Sequence, residues 1–277
     1  MYTVSQLFIY PIKSLGGFTV SAAQLTDRGL QYDRRWMLVD KHNNFLTQRE
    51  HPKMCLLQTA IEKDELIIFE KNSTDDKLRV QLNPTIEAIV KVKVWDDECK
   101  AQYVNELADE WFTKKLLMDC RLVYMPESEK RKVEEQYAHN SEITAFSDGY
   151  PLMMIGQASL DELNSRLSQP LPMDRFRPNI VFTGGSPFDE DTMEHFIIND
   201  ISLYGIKLSA RCVLTTIDQT NALKGKEPLK TLAAYRQKNN KIYFGQNLLF
   251  TQTGKISVGD TIKVVKNKPG IFLNDIV

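Results

Sequence analysis

A single cysteine stands beside an arginine in the segment Ser209-Ala210-Arg211-Cys212-Val213-Leu214-Thr215-Thr216-Ile217-Asp218. The run before it, residues 201–208, and the run after it, residues 213–217, are apolar enough to predict two strands. A cationic neighbour favours the thiolate form of a cysteine, which is the form that binds metals. Cys212 is therefore a candidate metal ligand at the end of a strand. The alternative is a small buried apolar side chain.

Two distant basic segments have the composition of an anion site. The first, Tyr10-Pro11-Ile12-Lys13-Ser14, precedes a double glycine and offers a charge, a hydroxyl and flexible backbone. The second, Arg175-Phe176-Arg177-Pro178-Asn179, precedes a run that predicts a buried strand. Arg34 and Arg177 could each form a two-pronged contact with a phosphate. Taken singly, such residues are more often surface charges or arginines bonded to carbonyls, but their shared position at the ends of apolar runs favours a site.

The other cysteines and the histidines form no metal motif. Cys55, Cys99 and Cys120 are far from one another and from Cys212, which excludes a zinc ribbon, a CxxC pair and a bacterial iron–sulfur run. The four histidines are scattered and no HExxH pattern occurs. The chain also lacks a GxSxG elbow, a Walker A motif and a complete dinucleotide fingerprint.

The bulk composition is that of an ordinary globular protein. The 277 residues are 42% hydrophobic and 26% charged, with a net charge of −1. Nothing in this balance indicates nucleic acid or a membrane surface as a partner. No apolar run reaches the length of a membrane span, and the first residues do not form a signal peptide. We therefore expect a cytoplasmic protein.

The spacing of short apolar runs predicts a mainly β protein with added helices, of the α+β class. Strands are expected at 2–10, 18–25, 36–40, 55–61, 65–70, 78–82, 88–95 and 99–104, with residues 45–47 starting the return arm of a hairpin. Helical spacing begins after Asn105, a candidate N-cap, and residues 121–125 predict a strand. We expect a β-barrel-like domain over 1–122 and a second domain over 123–277.

The second half predicts a mixture of elements. Residues 126–150 are expected to connect the halves, part helix and part loop. Ser159 and Glu162 have the spacing of a capping box that opens a helix, and 228–236 predicts another helix. Strands are expected at 152–155, 180–183, 196–199, 201–208, 242–244, 247–253 and 261–265.

Four dispersed motifs in this order resemble a known family. They are Tyr10-Pro11-Ile12-Lys13-Ser14, Asp33-Arg34-Arg35-Trp36, Phe176-Arg177-Pro178-Asn179-Ile180 and Arg211-Cys212-Val213-Leu214-Thr215-Thr216. The chain resembles MOSC-domain proteins with an N-terminal MOSC-associated β-barrel, and in particular the mitochondrial amidoxime-reducing component and its bacterial relatives. The resemblance extends over almost the whole chain. It implies two barrel domains, and it suggests that the first strands contribute to the cofactor site.

The resemblance implies a molybdenum cofactor, a molybdenum-bound molybdopterin with a terminal phosphate. By position, Cys212 is the molybdenum ligand, and Arg211 and Asn179 lie beside the reaction centre as catalytic residues. The implied cofactor-binding residues are Lys13, Ser14, Arg34, Gly149, Tyr150, Arg177 and Asn247. The family has threonine and serine where this chain has Gly149 and Tyr150, so a hydroxyl contact from position 149 is lost. Related proteins can carry an aromatic residue in place of Asn247.

The implied reaction is the two-electron reduction of N-hydroxylated compounds, namely amidoximes, hydroxylamines and N-hydroxylated bases. The products are amidines or amines, formed by oxygen-atom abstraction at the cysteine-ligated metal. The sequence contains no ferredoxin domain, so an external ferredoxin, b5-type cytochrome or flavin reductase is expected to supply the electrons. The N-terminal targeting and membrane segment of the mitochondrial relatives is also not expected here. Two alternatives remain: a carrier or sulfuration and maturation protein for the cofactor, and a β-rich binding module in which Cys212 is only buried.

Overall fold

The computed structural model describes residues 1–84 and 88–272. The strands are β1 (Tyr2–Ile9), β2 (Phe18–Val20), β3 (Ala22–Thr26), β4 (Gly29–Leu30), β5 (Trp36–Val39), β6 (Leu57–Glu62), β7 (Glu65–Glu70), β8 (Ser73–Gln81), β9 (Ile89–Val94), β10 (Asp97–Tyr103), β11 (Arg121–Tyr124), β12 (Leu152–Gly156), β13 (Ile180–Thr183), β14 (Met193–Ile198), β15 (Ile201–Arg211), β16 (Gln237–Lys238), β17 (Lys241–Phe250), β18 (Gly254–Ser257) and β19 (Thr261–Asn267). The α-helices are α1 (Glu106–Leu116), α2 (Gln157–Ser165) and α3 (Leu229–Arg236), and 3-10 helices cover Pro52–Leu56, Met173–Phe176, Asp189–Asp191 and Val213–Thr216.

Seven strands close into a barrel in the order β12-β13-β1-β19-β14-β15-β17, and β17 pairs back onto β12. The pair β12 and β13 is parallel and the other neighbours are antiparallel. Large apolar side chains such as Leu7, Phe182 and Phe196 form one of its cores. Strand β1 bridges β13 and β19, so the first residues of the chain complete a barrel that otherwise comes from the second half.

The first half forms a half-barrel from two further sheets. One sheet has the order β5-β11-β10-β9 and the other the order β6-β7-β8. Helix α1 packs against them and contributes Phe112 to a core around Trp36, and both side chains are fully buried. The predicted cap of this helix is confirmed, because Asn105 Oδ1 accepts a hydrogen bond from the Ala108 amide at 2.8 Å. A mainly β, α+β fold with two barrel-like units and peripheral helices is confirmed.

The predicted strand over 213–217 is wrong. Residues Val213–Thr216 form a 3-10 helix instead. The hydroxyl of Thr215 donates to the Cys212 carbonyl at 3.0 Å, and that of Thr216 donates to the Val213 carbonyl at 2.8 Å. Such local bonds stabilise a tight turn at the expense of an extended chain. The chain therefore turns sharply at the cysteine.

Three other local predictions also differ from the structure. The return arm at 45–47 is reduced to one bridge, between Val39 and Phe45. Residues 126–150, all of them described, contain no helix. The capping box is wrong because the Ser159 hydroxyl lies inside α2 and donates to Glu190 Oε2 at 2.7 Å.

Among the residues that the structure describes, no helix combines the length and the apolarity needed to cross a membrane.

Candidate functional site

A cavity of about 810 Å³ is lined by residues from both halves of the chain. Its lining includes all ten residues that the sequence analysis selected: Lys13, Ser14, Arg34, Gly149, Tyr150, Arg177, Asn179, Arg211, Cys212 and Asn247. These residues come from segments up to 234 positions apart in the sequence and share one cavity in the fold. Their individual roles stay predictions.

The half-buried thiol of Cys212 lies at the end of β15 and contacts a guanidinium from the first half. Arg49 Nε donates to Cys212 Sγ at 3.0 Å. The same guanidinium donates to Asp148 Oδ2 at 3.1 Å and lies 4.4 Å from the centroid of the Trp95 ring. Sequence reasoning missed Arg49, because no local pattern connects it to a cysteine 163 residues away.

The sequence pointed to Arg211 as the cation beside the thiolate, but its guanidinium makes other contacts. Arg211 Nε donates to the Phe244 carbonyl at 2.7 Å, and Nη1 donates to the Phe176 carbonyl at 2.9 Å. Burial lowers the pKa of Arg211 to about 10, so it is still a cation at neutral pH. These contacts fix the end of β15, and a catalytic role for Arg211 stays a prediction.

The side chain of Asn179 connects two strands of the barrel. Its Nδ2 donates to the Phe8 carbonyl at 3.4 Å and its Oδ1 accepts from the Met153 amide at 3.3 Å. Only 2% of the residue is exposed. The structure therefore shows Asn179 as a support for the cavity wall, and its predicted catalytic role stays a prediction.

Two guanidiniums enclose the ring of Tyr10. Arg34 lies 4.5 Å from the ring centroid and Arg177 lies 4.2 Å from it. Arg34 is paired with Asp33 at 2.6 Å, and Arg177 donates through Nη1 to the Leu15 carbonyl at 2.6 Å. Burial lowers the pKa of Arg177 to about 10, so it stays charged at neutral pH.

Three of the candidate cofactor residues have left-handed backbone conformations. The φ angles are 68° at Ser14, 50° at Arg34 and 56° at Arg177. Non-glycine residues seldom adopt such angles, and those that do are concentrated at functional sites. The surrounding fold therefore holds these three side chains in positions that the local backbone alone would disfavour.

Lys13 and Asp148 form an ion pair in the lining of the cavity. Lys13 Nζ lies 2.5 Å from Asp148 Oδ1 and donates to the Phe146 carbonyl at 2.8 Å. Burial lowers the pKa of Lys13 to about 8, although the Asp148 carboxylate opposes this shift. Asp148 has a side chain that is 58% exposed, and the charges of Lys13 and Arg49 outweigh its partial desolvation and hold its pKa far below the usual range.

Another part of the cavity lining combines Tyr137 and Tyr150 with Lys207 and Glu134. The Tyr150 hydroxyl donates to Glu134 Oε1 at 2.9 Å, and Lys207 donates to the same oxygen at 3.0 Å. Asn247 lies beside Lys207 in the pairing of β15 with β17. No atom lies within 4 Å of the place where a Cβ on Gly149 would be, so a side chain such as the family's threonine would fit there.

The charges and free donors fit an anionic cofactor. In the described part of the chain, Arg177 donates a side-chain hydrogen bond only through Nη1, and the Ser14 hydroxyl has no protein partner. Both residues line the cavity, so these groups can bind a phosphate. No group of three or more His, Cys, Asp or Glu residues that could hold a metal ion occurs among the described residues.

Comparisons with family models and known proteins identify what the chain is similar to. Residues 1–119 match the MOSC N-terminal beta barrel domain and residues 142–263 match the MOSC domain. The chain is 34% identical to mitochondrial amidoxime-reducing component 1 of Homo sapiens, over 94% of this chain and 82% of that protein. It is 32% identical to mitochondrial amidoxime reducing component 2 of Rattus norvegicus, with the same coverage. Among solved structures, the YUAD protein of Bacillus subtilis matches 95% of this chain and 94% of its own, with 10% identity and a TM-score of 0.43.

These matches extend over both halves of the chain and include the segments that supply Lys13, Arg177 and Cys212 to the cavity. The protein belongs to the MOSC-domain family with an N-terminal MOSC β-barrel, the family of the mitochondrial amidoxime-reducing components.

Proposed function

We propose that this protein is a molybdenum-cofactor-dependent reductase of N-hydroxylated compounds. The observation that carries the proposal is the position of the Cys212 thiol. It accepts a hydrogen bond from Arg49 in a cavity whose lining includes Lys13, Arg34 and Arg177. The relatives that are named amidoxime-reducing components support the same activity. Substrates of this class are amidoximes, hydroxylamines and N-hydroxylated bases.

The chain's own residues would hold the cofactor at its two ends. Cys212 would bind the metal, and the contact from Arg49 would keep its sulfur oriented toward the cavity. Lys13, Ser14, Arg34 and Arg177 would bind the phosphate and pterin. When bound, the cofactor supplies two-electron chemistry at a metal with an open coordination position.

Tyr150, Lys207 and Glu134 would position the substrate and hold protons. Reduction of an amidoxime consumes two electrons and two protons, breaks the N–O bond and releases an amidine and water. Tyr150 and Lys207 share Glu134 as a hydrogen-bond acceptor and line the same cavity as Cys212. They are placed to orient a polar substrate in the cavity. We further propose that a separate ferredoxin, b5-type cytochrome or flavin reductase supplies the electrons, and that the protein acts in the cytoplasm.

The test begins with cofactor content. The protein is purified from a host that makes the molybdenum cofactor and from a matched host that cannot, and molybdenum and pterin are measured in both. We expect near-stoichiometric molybdenum from the first host only. Folded protein without molybdenum from both hosts would overturn the proposal in favour of a binding module.

Turnover then separates an enzyme from a carrier. The loaded protein is given benzamidoxime and a reduced viologen, and benzamidine is measured. Benzamidine formation supports the reductase. Full loading without reduction of benzamidoxime, hydroxylamine or N-hydroxycytosine would favour a carrier or maturation protein for the cofactor.

A further inference from the structure

An exposed surface with apolar and basic side chains begins directly beside Cys212. Val213 is 52% exposed and Leu223 is 68% exposed, which is unusual for aliphatic side chains next to a buried site. Lys224 and Lys226 follow Leu223 and are also exposed. We call Val213, Leu223, Lys224 and Lys226 the docking surface.

The docking surface is connected to the thiol by a short path. Val213 is covalently bonded to Cys212. Lys224 Nζ donates to the Arg49 carbonyl at 2.9 Å, and Arg49 Nε donates to Cys212 Sγ at 3.0 Å. A partner seated here is thus separated from Cys212 by one residue on the route through Val213 and by two residues on the route through Lys224 and Arg49. No longer path through the barrel core is needed.

The charge of this region differs from that of the whole chain. The two segments that meet here, residues 47–53 and 209–226, contain two carboxylates and five lysines and arginines, of which Lys53, Lys224 and Lys226 are exposed. One of the carboxylates, Asp218, pairs with Arg175 and accepts hydrogen bonds from Thr220. The chain as a whole has a net charge of −1. A local positive excess with an apolar centre complements an acidic protein surface that has its own apolar patch.

We propose that the docking surface binds an acidic one-electron carrier protein that reduces the site. The inference rests on the proposed function, since that reaction needs two electrons from outside. Two reduced carriers are each oxidised by one electron, the N–O bond of the substrate breaks, and two protons from solvent complete the amine product and water. Such complexes are small and transient, typically below about 1,200 Å² of buried area, which a surface of this extent can provide.

The test uses a variant that changes the docking surface without touching the cavity. Leu223→Ser combined with Lys226→Glu removes one apolar contact and reverses one charge. The matched control is Val265→Ser with Lys263→Glu on β19, because Val265 is 51% exposed, Lys263 is exposed, and neither lines the cavity. Each loaded variant is assayed for benzamidoxime reduction with reduced viologen and with reduced plant-type [2Fe–2S] ferredoxin.

We expect the docking variant to lose about tenfold in kcat/KM with the ferredoxin, and to change less than about twofold with viologen. The loss should shrink as salt is added, because screening removes the charge contribution. The control variant should resemble the unmodified protein with both donors. Equal activity of the docking variant and the control with ferredoxin would overturn the inference.

Binding provides a readout that does not depend on turnover. The affinity of labelled ferredoxin for each variant is measured by fluorescence anisotropy at low and at moderate salt. If viologen supports no turnover in the unmodified protein, the proposed reductase function fails, and the anisotropy still decides about the docking surface. Equal ferredoxin affinity of the docking variant and the control variant would overturn the proposed docking surface. Specific binding of a cofactor-delivery protein in place of the carrier would overturn it as well.

Discussion

Cys212 differs from the other cysteines of the chain in its surroundings. Cys55, Cys99 and Cys120 are buried, and burial raises the pKa of all three thiols, to about 12 at Cys99 and about 11 at Cys120. Cys212 is only partly buried and receives a hydrogen bond from Arg49. Reactivity toward small electrophiles should therefore be confined to this one thiol.

Alkylation of the folded, cofactor-free protein tests this contrast. Iodoacetamide at neutral pH should modify Cys212 first, and Arg49→Ala should slow the modification several-fold because the sulfur loses its cationic partner. Arg49→Lys should give an intermediate rate, since it keeps the charge without the fork. Peptide mass spectrometry identifies the modified site. Equal rates in all three proteins would show that Arg49 does not influence the thiol.

Replacement of the thiol itself gives a second prediction. Cys212→Ser should abolish amidoxime reduction with viologen and lower molybdenum content, because a hydroxyl is a poor replacement for a soft thiolate ligand. The midpoint of urea unfolding should stay close to that of the unmodified protein, since the side chain is only partly buried. Full activity in this variant would contradict the ligand role.

Arg177 is expected to contribute to cofactor affinity. Arg177→Ala removes a buried fork of hydrogen-bond donors, and charged hydrogen bonds of this kind contribute about 1.5–3 kcal/mol. Cofactor occupancy after dialysis should fall about tenfold, and Arg177→Lys should retain more cofactor than Arg177→Ala. Molybdenum analysis of the dialysed proteins checks this. Unchanged occupancy would show that the contact with Leu15 is the only role of Arg177.

Sequence alone predicted which residues reach the cavity better than it predicted what they contact. Lys13, Ser14 and Cys212 could be selected because each follows an apolar run at a turn. Arg49 could not be selected, because its partner lies 163 residues away and only the closed fold brings the two together. For the same reason the contacts of Arg211 with two carbonyls could not be foreseen.

At the scale of elements, the N-cap of α1 is a local feature with a measurable energy. Asn105→Ala removes the hydrogen bond to the Ala108 amide and should lower the free energy of unfolding by about 1 kcal/mol. Leu107→Ala is the matched control, because Leu107 is 73% exposed and its truncation should have little effect. Urea denaturation of both variants measures the difference. An Asn105→Ala protein as stable as the control would contradict the cap.

Elements were predictable where a regular pattern of apolar residues dominates, as in β7 and α1. They were wrong where side-chain hydroxyls bond to partners that the pattern does not include. Thr215 and Thr216 stabilise a 3-10 turn after Cys212. The Ser159 hydroxyl was predicted to cap the start of a helix, but it donates a hydrogen bond to the distant Glu190. The turn at 213–216 is also what brings Val213 to the surface beside the thiol.

At the scale of the whole molecule, Glu190 makes stability depend on pH. It is fully buried, and burial together with the nearby Asp191 raises its pKa from 4.5 to about 7. Between these values the unfolded chain releases a proton that the folded chain keeps, so the free energy of unfolding falls as pH rises through this window. At pH values above both pKa values, the total loss in the free energy of unfolding approaches about 3 kcal/mol.

The variant Glu190→Gln isolates this contribution, because glutamine stays neutral and can still bond to Ser159. Its free energy of unfolding should drop less than that of the unmodified protein between pH 5 and pH 8. Urea titrations at both pH values provide the comparison. An identical drop in both proteins would mean that Glu190 is ionised in the folded protein at pH 8 at no cost.

The fold class was predictable because alternating apolar residues mark strands wherever they occur. The closure of the barrel was not, since it depends on the pairing of β1 with β13 and β19, which lie more than 170 residues further along. No periodicity reports a pairing over that distance. Sequence reasoning suggested only that the first strands reach the cofactor site.

The position of β1 in the barrel has a consequence for synthesis on the ribosome. At about 5–20 residues per second, roughly 10–50 seconds pass between the emergence of β1 and that of β19. During this time the apolar strand β1 can pair with β2, but it lacks β13 for most of the wait and β19 for all of it, and it is a natural target for chaperones that hold nascent chains. The half-barrel can fold meanwhile, whereas the cavity is completed only when the last strand arrives. The cavity can therefore accept a ligand only after β19 has emerged from the ribosome.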